Sequence, residues 1–157
     1  MKHTLSVLVE NKFGVLARIA GLFSCRGFNI DSLTVGETHD PSISRMTIVV
    51  KGDDAVLEQV NKQLNKLIDV IKVQEYSDKN YVETELVLLR VHATAKNRSE
   101  ILQIIDIFKA KISDVSDKSI MVELTGDSEK VNSFINMIKS YGIKEMARTG
   151  KVALGKD

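Results

Sequence analysis

Residues 4–23 read TLSVLVENKFGVLARIAGLF. Leu5, Val7 and Val9 alternate with Ser6 and Leu8, the pattern of a strand with at least one buried face. Asn11-Lys12-Phe13-Gly14 breaks that alternation. Val15, Leu16, Ile19, Ala20, Leu22 and Phe23 then follow at helical spacing, which predicts a helix with a broad apolar face. Gly21 inside that helix costs about 1 kcal/mol relative to Ala, so close packing against the sheet or a neighbour is expected there. Gly27 falls where a helix C-cap glycine belongs. Cys25, at the helix end, reads as a small packing residue.

A second strand should follow Asn29-Ile30 and run through Leu33 and Val35. The segment around Asp40-Pro41 reads as a turn. Met46, Ile48 and Val50 alternate in a third strand. Asp53 or Asp54 can cap a second helix, whose stripe is Val56, Val60, Leu64 and Leu67. Residues 70–76 make a fourth strand. The order β-α-β-β-α-β within residues 1–76 defines a ferredoxin-like unit.

After a polar join at Asp78-Lys79-Asn80, the same order recurs over residues 77–157. Strands are expected at 85–93, 112–115, 120–124 and 143–149. Ile101, Ile104, Ile105 and Phe108 mark one helix, with Ser99 as its cap. Val131, Phe134, Ile135 and Ile138 mark the other, capped by Asp127. The fold class is therefore α+β, with two ferredoxin-like βαββαβ domains of about 75 residues each. Domains of that size often lean on partners for stability.

Composition narrows the function. The chain has 157 residues, 22 Lys plus Arg and 21 Asp plus Glu. Residues 1–76 carry 9 basic and 9 acidic side chains, the remainder 13 and 12, so neither half has the positive excess of a polyanion-binding domain. The third strand lacks the aromatics that RNA-binding modules of this topology use for base stacking. A single cysteine excludes an intrachain disulfide and argues against the metal chaperones of this fold, which need paired cysteines. His3, His39 and His92 are scattered without metal-ligand spacing, so no metal is expected. Phosphate loops and nucleophile elbows are missing. An acylphosphatase-type enzyme needs an arginine in the first turn, but Arg18 lies within the helix. Without a signal-like start or an apolar run of about 18 residues, the chain reads as soluble and cytoplasmic.

The turn Asn11-Lys12-Phe13-Gly14 is the informative constellation. Helix N-termini carry unpaired N–H groups and partial positive charge, and so receive carboxylates. Gly14 permits close approach to the backbone. Asn11 offers a donor and an acceptor. Val15 and Leu16 supply amides and an apolar wall. Local sequence leaves two readings open: a small site for an anionic head with a greasy tail, or a tight β-to-α turn and nothing more.

The run from Glu10 to Phe23, continued by Arg26-Gly27-Phe28-Asn29-Ile30-Asp31-Ser32-Leu33-Thr34-Val35, closely resembles an ACT domain. More narrowly, it resembles the regulatory (small) subunits of acetolactate synthase, also called acetohydroxyacid synthase. Ser44-Arg45-Met46-Thr47-Ile48-Val49, Gln63-Leu64-Asn65-Lys66-Leu67-Ile68-Asp69-Val70, Thr125-Gly126-Asp127 and Ala147-Arg148-Thr149-Gly150 fit the same family. The resemblance implies a non-catalytic protein with no cofactor of its own. It implies a partner, the thiamine-diphosphate-dependent catalytic large subunit, that is activated and made sensitive to valine or another branched-chain amino acid. An ACT-domain regulator of a different metabolic enzyme is the alternative. The resemblance further implies a homodimer with the effector between two chains. Asn11, Gly14, Val15 and Leu16 would form one wall, and Asn29 and Ile30 of the other chain the facing wall. The stretch from His92 to Arg98 lacks the Asn-x-x-Gly pattern, so no effector site is expected in the second domain. Residues 148–154 are a candidate contact for the catalytic subunit, or simply a closing strand and tail.

Overall fold

A computed structural model describes residues 1–76 and 80–157; the expected join at Asp78-Lys79 lies outside the described residues. The chain divides into two units, 1–82 with 151–157, and 83–150.

In the first unit the elements are β1 (Lys2–Glu10), α1 (Val15–Cys25), β2 (Asn29–Glu37), β3 (Ile43–Lys51), α2 (Asp54–Asn65) and β4 (Val70–Tyr76). The strands lie in the order β2-β3-β1-β4, all pairs antiparallel, so β2 and β4 are the edges. One sheet face carries Leu5, Val7, Val9, Met46, Ile48 and Val50. It packs with Val15, Ile19 and Phe23 of α1 and Leu57, Val60 and Leu64 of α2. Spacings of four residues put the three α1 side chains on one stripe. Gly27, in the left-handed region at φ 68°, closes α1, and the amide of Phe28 donates back to the Phe23 carbonyl over 3.0 Å. Asp53 caps α2 by accepting from the Val56 amide at 2.9 Å.

Two expectations for α1 need correction. A methyl group added at Gly21 would meet nothing within 4 Å, so packing on the sheet does not require this glycine. Cys25 is exposed, because two residues beyond Phe23 the helix has turned about 200° from the core stripe.

The opposite face of this sheet bears small polar side chains, and Thr4, Ser6 and Thr47 are nonetheless buried. A short strand, β9 (Val152–Gly155), contacts β1, and the Ala153 amide donates to Thr47 Oγ1 at 3.4 Å. Ala153 is only 2% exposed. Strand β9 pairs with β5 (Tyr81–His92), whose first two residues belong to this unit. Tyr76 and Tyr81 stack with ring centroids 5.3 Å apart. Residues 151–157 thus belong with the first unit, and the break falls after Val82 rather than Tyr76. The bonds from the Ala153 amide to Thr47 and from the Lys156 amide to the Asn80 carbonyl both lie within this unit. Within 148–154, Arg148 pairs with Glu85 and Ala153 is buried, whereas Val152 and Leu154 are exposed.

The second unit contains the rest of β5, α3 (Arg98–Ile107), β6 (Lys111–Val115), β7 (Ser119–Gly126), α4 (Ser128–Ile138) and β8 (Ile143–Arg148). Its strand order, β6-β7-β5-β8, repeats that of the first unit. Phe134 stacks edge-on against Phe108 at 5.3 Å within a core of Val87, Leu89, Ile120 and Val122. Asp127 caps α4, accepting from the Lys130 amide at 2.8 Å. The expected cap at Ser99 is displaced: Asn97 precedes α3, and its Oδ1 accepts from the Thr94 amide at 2.7 Å. Two antiparallel sheets, each with two helices, confirm the α+β class. No described helix is long and apolar enough to cross a membrane.

Candidate effector-binding site

The turn between β1 and α1 is shaped by Gly14, which sits at φ 83° and ψ −6°. This left-handed conformation favours glycine. A Cβ there would also come within 3.3 Å of an Arg18 guanidinium nitrogen. Arg18 is held over the turn by Asp69, whose Oδ2 accepts from Nε at 2.9 Å and from a terminal nitrogen at 2.5 Å. The Asp69 carbonyl in turn accepts from the Glu10 amide at 2.9 Å, fixing the end of β1.

Helix α1 has no side-chain cap at its start and no acidic residue in its first turn. Its early N–H groups lack intrahelical partners by construction and carry the helix's partial positive charge. Lys12 adds a cation beside it and pairs with Glu10 at 2.8 Å. The hydrogen bond to Glu10 holds the Lys12 ammonium above the usual lysine range.

An open pocket of about 300 Å³ adjoins this turn. Asn11, Val15 and Leu16 line it, with Glu10, Lys12, Val35, Glu37 and Met46 among the other walls. That volume is at the small end of ligand sites. The structure therefore gathers three of the residues expected from sequence, with Gly14 shaping the turn between them. Asn29 and Ile30 begin β2, whereas the pocket uses its far end, Val35 to Glu37. At about 3.4 Å per residue the two ends are roughly 17–27 Å apart, so one chain does not bring them together.

Val35, Gly36, Glu37, Ser44 and Met46 line the pocket but were not read from the sequence as site residues. Their signal is register: Val35 pairs with Met46 and Glu37 with Ser44 across β2 and β3, and Val9 pairs with Ser44 across β1 and β3. The turn before β3 also reaches the site. Asp40 Oδ1 accepts from the Ser42 amide at 3.0 Å and the Ser42 hydroxyl at 2.7 Å. These bonds hold the Asp40 carboxyl below the usual aspartate range. The Ser42 carbonyl then accepts from the Asn11 amide at 2.7 Å. Among the described residues, no cluster of three or more His, Cys, Asp or Glu side chains could hold a metal.

The first unit is thus a βαββαβ sheet-and-helix domain with an open pocket at its first strand-to-helix turn. Comparison with known proteins gives the lineage. Residues 5–72 match the AHAS small subunit-like ACT domain, and residues 84–157 match the family described as small subunit of acetolactate synthase. An Archaeoglobus fulgidus relative, named "Probable acetolactate synthase small subunit", is 62% identical over 98% of this chain and 96% of its own length. The acetolactate synthase small subunit of Aquifex aeolicus is 52% identical over 99% of this chain and 82% of its own. The crystal structure of the Thermotoga maritima small subunit superposes with a TM-score of 0.92 at 44% identity, covering 100% of this chain and 98% of that one. The chain belongs to the acetolactate synthase small subunit family.

Proposed function

We propose that this protein is the non-catalytic regulatory subunit of a thiamine-diphosphate-dependent acetolactate synthase in branched-chain amino acid biosynthesis. It binds the catalytic large subunit in the cytoplasm, raises its activity, and makes it sensitive to valine or a related branched-chain amino acid. Family membership supports the partner. The observation that carries the effector reading is the pocket of about 300 Å³ where Asn11, Val15 and Leu16 meet the far end of β2.

The effector's carboxylate meets the first N–H groups of α1, and its ammonium meets side-chain or carbonyl oxygens. The helix-end electrostatic contribution is ~0.3–2 kcal/mol. Burying a valine-sized side chain adds about 1.5–3 kcal/mol before the costs of binding. The second wall comes from a second copy. Strand β2 lies at an edge of the sheet order, and Val35 on it is 43% exposed. Antiparallel pairing of two β2 strands brings Asn29 and Ile30 of one copy alongside the Val35-to-Glu37 end of the other. A ligand held by two chains stabilises their association. Coupling to the catalytic subunit is reciprocal: if the effector alters affinity for that subunit, the subunit alters affinity for the effector equally.

Reconstitution with the catalytic subunit tests this. The protein should raise acetolactate formation, and L-valine, leucine or isoleucine should lower it in the presence of this chain only. A catalytic subunit that neither binds nor responds to this chain would overturn the assignment.

A further inference from the structure

The side-chain amide of Asn11 is held in one orientation. Its Nδ2 donates to Glu37 Oε2 at 3.2 Å and to the Pro41 carbonyl at 2.9 Å. An ionised carboxylate and a backbone carbonyl can only accept, so a reversed amide would face two acceptors with a third. Both Nδ2 hydrogens are thereby used within the chain. Among the described residues, Oδ1 takes no hydrogen bond, and both Asn11 and Glu37 line the pocket.

We infer that Glu37 is a positioning residue that fixes Asn11 with Oδ1 as the acceptor offered to the ligand, so that the site selects an α-amino acid over the corresponding 2-keto acid. This rests on the effector reading above and deepens it. The two acids share a carboxylate and a branched tail, so the helix start and the apolar walls treat them alike. They differ at Cα, where one carries an ammonium donor and the other a carbonyl oxygen. Against an acceptor-only group, the ammonium makes a charge-assisted hydrogen bond and the ketone meets lone-pair repulsion. A freely rotating asparagine would serve either ligand, because turning the amide would present Nδ2 to the ketone. Discrimination therefore depends on what locks the amide, and the Pro41 carbonyl and Glu37 are its two locks.

The experiment titrates the full-length chain with L-valine and with 3-methyl-2-oxobutanoate, comparing wild type, Glu37→Ala and Glu37→Gln. In wild type, L-valine should bind at least 10-fold more tightly than the keto acid. In Glu37→Ala that ratio should fall by about 10-fold, mainly through weaker valine binding. Glutamine keeps an oxygen that can accept from Nδ2, so Glu37→Gln should restore the ratio to within about 3-fold of wild type. Equal loss for both ligands in Glu37→Ala would show a general structural role and overturn the inference, as would an unchanged ratio. A Glu37→Gln variant as impaired as Glu37→Ala would assign the effect to the carboxylate charge and overturn positioning. Wild type without saturable valine binding, alone or with the catalytic subunit, would instead overturn the effector reading itself.

Discussion

Gly14 and Asn11 divide the work of the β1–α1 turn: one sets the backbone, the other offers polar atoms. Gly14→Ala forces a Cβ into the left-handed region beside Arg18 and should cost about 1–2 kcal/mol in chemical denaturation. Unchanged stability would mean that the turn relaxes freely. Asp40 acts at one remove, through the Ser42 turn that supports Asn11. Its carboxyl is held below the ordinary aspartate value by the Ser42 hydroxyl and amide. Its contribution to the turn is complete above the unfolded aspartate value, about 3.9, and fades as pH falls through the lower folded value. NMR titration should place Asp40 below the ordinary midpoint, with Asn11 resonances constant between pH 6 and 8. A midpoint at or above the ordinary value would contradict the turn geometry. Asn11, Gly14, Val15 and Leu16 were legible from sequence because they adjoin along the chain at a strand-to-helix turn. Glu37 and Met46 were not, because they reach the pocket through pairing between strands, which local pattern does not reveal.

At the scale of elements, hydrophobic periodicity located eight strands and four helices to within a few residues. Where an aspartate stands at a helix start, as at Asp53 and Asp127, the cap was legible too. Strand β9 was missed. Four residues between Lys151 and Lys156 carry little periodic signal, and the burial of Ala153 depends on a sheet distant in sequence. The small hydroxyl residues Thr4, Ser6 and Thr47 were its trace, since they suit a face approached closely by another strand. Ala153→Glu would place a carboxylate at this buried position. It should cost about 1–3 kcal/mol and expose the C-terminal segment to proteases. Wild-type resistance to limited proteolysis would mean that β9 does not need this packing.

At the scale of the whole molecule, the repeated strand order shows one architecture serving two units with different surfaces. The first carries the pocket at its strand-to-helix turn, together with an edge strand suited to pairing. If two chains share the effector, L-valine must tighten their association. At a hundredfold excess over its dissociation constant, the linkage amounts to about 2.7 kcal/mol per site. Sedimentation of dilute protein should show dimer persisting to lower concentration with L-valine than with D-valine. Identical profiles would contradict a shared site.

Isothermal titration of the full-length protein decides whether the β1–α1 turn binds a branched-chain amino acid. L-valine should give saturable heat at one site per chain or fewer, D-valine should give none, and Asn11→Ala should abolish or severely weaken the L-valine response. Equal heats for the two enantiomers, or an Asn11→Ala protein that titrates like wild type, would contradict binding at this turn.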